Sequence, residues 1–149
     1  MLIPILLGSA IFTLTTILQV IAIVAVARFL EHRIQFGGVG KNFWLSVRAL
    51  SVAMLIVFMG HLLQVGLWAW VFQSVGEFDD FATAFYHSAV NFSSLGYGDI
   101  VMSPKWRLLG ALEAGSGVLM FGISTGVGFA MVNAIFKRFG LTRPKSTAV

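Results

Sequence analysis

The chain has 149 residues, 58% of them hydrophobic and 11% charged, with ten Lys and Arg against six Asp and Glu and no Cys. Soluble domains carry about 25% charged and about 45–50% apolar residues, and a chain this short has no interior able to hide so much apolar surface from water. The composition therefore points to lipid as the solvent, excludes disulfides and cysteine metal sites, and offers no basic polar domain for nucleic acid.

The first apolar run extends from about Ile3 to Leu30, broken only by Gly8, a few Ser and Thr, and Gln19. It lacks a basic n-region and is far longer than the apolar stretch of a signal peptide, so it reads as a retained span. It carries no repeated Arg and is not a voltage sensor of the usual kind. Its simplest role is lipid-facing packing, with Gln19 set toward the second span.

The second run covers about Leu45 to Phe72. His61 and Gln64 near its middle read as interhelical hydrogen-bonding groups, with a proton-sensitive site as the alternative. Trp68, Trp70 and Trp106 fall where interfacial aromatics anchor a span.

Asp80 to Phe92 is different. A helix of this length covers about 20 Å, too short to cross about 30 Å of hydrocarbon. It lies between two long runs and is apolar apart from residues such as His87, Ser88 and Asn91, so it reads as a re-entrant helix. Asp79 or Asp80 can cap its start, where a negative charge suits the helix dipole.

The third long run covers about Trp106 to Phe136. Each of the three is long enough to span as a helix, and none shows the alternation of a barrel strand. Glu113 lies within this run, where a carboxylate is costly and by default functional, a less specific polar contact or exposure near the interface being the alternative. Gly115, Gly117, Gly122, Gly126 and Gly128 suit close helix packing; equally, Gly117 or Gly122 could serve as a hinge. His61, His87 and Glu113 lack ligand spacing, which argues against a metal centre.

Eight of the ten basic residues fall on one side: Arg28, Arg33, Lys41 and Arg48 around the first connection, and Lys137, Arg138, Arg143 and Lys145 after the last span. That side is expected to be cytoplasmic, which places the N-terminus outside and the C-terminus inside. No nucleophile constellation or phosphate loop appears, and the Gly-rich third span lacks the preceding strand a dinucleotide site requires, so no enzyme is expected.

The segment after the short helix reads Ser93-Ser94-Leu95-Gly96-Tyr97-Gly98-Asp99. It resembles the potassium-channel pore family, whose filter pattern is Thr-Val-Gly-Tyr-Gly followed by Asp. The resemblance covers about Ser46 to Phe136, with outer helix, pore helix, filter and inner helix in order. The three-span layout is similar to small bacterial members of the ion-channel superfamily that add one helix before the pore unit.

The resemblance implies an all-α membrane protein with three transmembrane helices, a re-entrant pore helix and an extended filter. It divides the chain into a peripheral helix and linker (1–45), a pore domain (46–138) and a short tail (139–149) without room for a ligand-binding domain. It implies a homotetramer in the cell membrane, conducting K+ over oxygens of Ser94, Leu95, Gly96, Tyr97 and Gly98, with ions at Ser94 to Tyr97. Asp99, Asn91 and Glu113 would support the filter, Glu113 hydrogen-bonded to the pore helix near Asn91 or His87, or protonated. Thr125 and the residues below it would line the cavity or its cytoplasmic mouth. Ser94 in place of Thr and Leu95 in place of Val open one alternative, a weakly selective monovalent cation channel. A separate one is the membrane subunit of a transporter or non-conducting assembly, which failure of the purified protein to conduct alone would favour.

Overall fold

The computed structural model describes residues 2–140. Arg143 and Lys145, with nearly all of the expected tail, lie outside the described residues. Four helices follow in order: α1 Leu2–Phe36, α2 Phe43–Ser74, α3 Phe81–Phe92 and α4 Arg107–Arg138. No strand occurs among the described residues. α1, α2 and α4 are each long and apolar enough to cross a membrane.

The three long helices run past the apolar stretches that announce them. α1 continues beyond Leu30 through Glu31, His32 and Arg33 to Phe36, because charged residues with good helix propensity extend a helix that has already left the hydrocarbon. α2 starts after Asn42, whose side chain accepts a hydrogen bond from the Leu45 N–H at 3.3 Å. The α1–α2 turn is stitched by Ser46, which accepts from the Gly40 N–H at 2.9 Å and donates to the Asn42 carbonyl at 2.9 Å.

α1 packs against both α2 and α4, so it braces the other two spans rather than standing apart from them. Two apolar clusters result. One, at the end carrying α3, gathers Ile11, Val65, Trp68, Phe72, Phe92, Leu109 and Met120. The other, at the end carrying the α1–α2 turn, gathers Val26, Leu30, Val39, Ala53, Val57, Met131 and Ile135. Trp68 corrects the interfacial reading: its side chain is fully buried in the first cluster, whereas Trp70 on the opposite face of α2 is exposed.

Between the clusters lies a polar layer. Gln64 Nε2 donates to Gln19 Oε1 at 2.8 Å, and Gln19 Nε2 donates to Ser124 Oγ at 2.8 Å. Ser124 Oγ lies 3.0 Å from His61 Nε2. Gln19 thus contacts α2, as its sequence position implied, and reaches α4 as well. His61 and Gln64 each join the interhelical layer through their own partner.

Candidate functional site

α3 begins on Asp80, whose Oδ1 accepts the Thr83 N–H at 2.8 Å. Of the two candidate caps, Asp80 is the one used. Hydrogen bonding to the Thr83 side chain and then to its N–H holds the Asp80 carboxyl below the usual carboxylate range. Its charge sits at the positive end of the helix dipole.

The other end of α3 closes in a Schellman turn. The Leu95 N–H donates to the Val90 carbonyl at 3.0 Å and the Ser94 N–H to the Asn91 carbonyl at 2.8 Å, with Ser94 at φ 57. α2 ends in the same turn, where the left-handed position is Gly76 at φ 78. The position favours glycine, since a Cβ is strained there. Ser94 carries that strain, and it was not anticipated from the sequence.

Beyond the turn, Gly96 stands at φ 58 and Gly98 at φ 72, while Leu95 and Tyr97 between them keep negative φ. The backbone therefore alternates over residues 94–98. Leu95 is 55% and Tyr97 67% exposed in the single chain.

Side chains tie this loop back to α3. The Tyr86 hydroxyl donates to Asp99 Oδ2 at 2.8 Å. His87 Nδ1 lies 3.1 Å from the Ile100 carbonyl and its Nε2 lies 2.8 Å from Asn91 Nδ2. A carbonyl only accepts and an amide nitrogen only donates, so the pair assigns the proton to Nδ1. Further out, the Glu77 carboxylate accepts from the Ser103 N–H at 2.7 Å and the Ser103 hydroxyl at 2.5 Å.

Glu113 is fully buried behind α3. Its Oε1 is hydrogen-bonded to Ser88 Oγ, which also lies 2.8 Å from the Val65 carbonyl of α2. Ser88 is thus the link between α3 and α4 that the sequence left unassigned. Asn91 adjoins the Glu113 carboxyl but forms its strong contact with His87. Sequence spacing could have found Ser88, which lies three residues before Asn91 on the same helix face.

The two glycines expected as hinge or packing positions differ. A Cβ on Gly117 would strike the Phe92 carbonyl at the end of α3, whereas one on Gly122 would meet nothing within 4 Å. Thr125 is exposed and its hydroxyl donates to the Phe121 carbonyl at 2.8 Å. No group of three or more metal-capable side chains occurs among the described residues.

Three helices long and apolar enough to cross a membrane, with a capped short helix and an alternating loop set between the last two, define an all-helical fold of the membrane-protein class. A family model described as "Ion channel" matches residues 60–134, half of the chain, from the middle of α2 to near the end of α4. The chain belongs to this ion-channel family. No curated protein and no solved structure gives a significant match.

Proposed function

We propose that four copies of the chain assemble around an axis to form a potassium-selective channel, with α3 dipping into the membrane as a re-entrant helix. The observation that carries this reading is the alternation of left-handed backbone at Ser94, Gly96 and Gly98 directly after α3. A dehydrated cation needs a cage of oxygens in place of its water, and a pleated strand would turn successive carbonyls to opposite sides. Alternating the sign of φ turns them to one side, and glycine takes the left-handed residues at little cost.

In this reading K+ passes between carbonyl rings of Leu95, Gly96, Tyr97 and Gly98, with the Ser94 carbonyl and hydroxyl at the innermost site. The C-terminal end of α3 faces the ion with its negative dipole. Asp99 and Asn91 brace the outer part of the loop through Tyr86 and His87. The exposed Leu95 and Tyr97 side chains gain cover only from neighbouring subunits, which supports assembly. The end carrying Arg28, Arg33, Lys41, Lys137 and Arg138 is cytoplasmic, and the filter opens to the outside.

Bi-ionic reversal potentials of purified protein in planar bilayers test this. A reversal potential far from zero, in the direction of potassium permeation, is expected. A value near zero with equal potassium and sodium would instead establish the weakly selective channel that the Ser94 and Leu95 replacements allow. Silence of the purified protein alone would favour a non-conducting or partner-dependent assembly.

A further inference from the structure

The bonds around Ser88 leave its hydroxyl proton with two claimants. Val65 O is a backbone carbonyl and can only accept, and it lies 2.8 Å from Ser88 Oγ. A serine hydroxyl has one proton to donate. With that proton on Val65 O, the bond between Ser88 Oγ and Glu113 Oε1 needs a proton from Glu113.

We propose that Glu113 serves the pore as a neutral carboxylic acid, a positioning residue that donates to Ser88 so that Ser88 can donate to Val65 and fix α3 against α2. The inference deepens the channel reading and rests on it for its effect on conduction.

Three further observations support the assignment. Glu113 Oε2 is buried without a hydrogen-bond partner, as a carboxylic acid's carbonyl oxygen tolerates better than half of a carboxylate does. No Lys or Arg faces it from the packed elements: α3 has none, α1 has none before Arg28, α2 none after Arg48, and Arg107 stands in the first turn of α4. The histidines on these elements are His87 of α3, neutral because its Nε2 accepts from Asn91, and His61 of α2, bonded to Ser124. The relay also joins three helices at one atom, since Val65 belongs to α2, Ser88 to α3 and Glu113 to α4. In such a relay each group both satisfies and orients the next. A carboxylate at this place would draw the single Ser88 proton to itself and leave the 2.8 Å contact with the Val65 carbonyl without one.

Infrared spectroscopy of the full chain in lipid tests the protonation without requiring current. Glu113 is the one buried carboxyl among the described residues, so a protonated-carboxyl C=O band at neutral pH, lost in Glu113→Gln and shifted in Ser88→Ala, is expected. The amide of Glu113→Gln can still donate to Ser88, so this variant should recover most of the potassium current that Glu113→Ala loses, a loss of about tenfold for a stranded buried hydroxyl. Absence of the band in the wild type, or equal loss of current in the Gln and Ala variants, overturns the relay. A band present in a protein that conducts nothing keeps the relay and overturns the channel reading instead.

Discussion

Ser94 and Gly96 occupy the same region of backbone space for different reasons. Ser94 ends a helix at the position where α2 uses Gly76, and it keeps a side chain there against a cost of about 1–2 kcal/mol for an L-residue in left-handed backbone. The hydroxyl it presents to the loop is the feature a glycine would remove. Ser94→Gly is therefore expected to raise the thermal unfolding midpoint and to reduce potassium preference in bi-ionic recordings. Gly96→Ala should do the opposite to stability: a Cβ meets nothing within 4 Å in the single chain, so its effect is backbone strain, and the alignment of the carbonyls to one side is lost with it. Normal selective current in Gly96→Ala would contradict the role given to that backbone.

At the level of helices, the apolar pattern made the existence and order of all four elements readable, and the short length of α3 set it apart. The boundaries ran over because hydropathy marks where lipid ends, whereas helical hydrogen bonding continues through Glu31, Arg33, Lys137 and Arg138 until a turn residue stops it. Side-chain pairings were harder to read. Glu113 was legible as costly within a span, yet its partner Ser88 was not assigned: its spacing from Asn91 puts it on the right face of α3, but a lone serine carries no charge to mark which face meets Glu113. Gly117 and Gly122 look alike in sequence and separate only when the Phe92 carbonyl is placed against one of them. Gly117→Ala should destabilise the protein by about 1–3 kcal/mol through overpacking, and Gly122→Ala should leave the unfolding midpoint of the detergent-solubilised protein nearly unchanged. A Gly117→Ala protein as stable as the wild type would remove the packing explanation.

Across the whole chain, the spans are held by two apolar clusters with Gln19, Gln64, Ser124 and His61 between them. Gln19→Leu removes both of its bonds and strands Gln64 Nε2, at a cost of about 1–2 kcal/mol in a membrane interior. Unfolding in mixed micelles should register that loss, and unchanged stability would show the layer to be dispensable. The layer also bears on the order in which the protein is made. Gln19 enters the bilayer with α1, and its partner Gln64 arrives afterwards with α2. The leading hairpin can therefore satisfy one of its central amide bonds before the third span exists, so that span is received by a two-helix template already in register, with Ser124 completing the seam last.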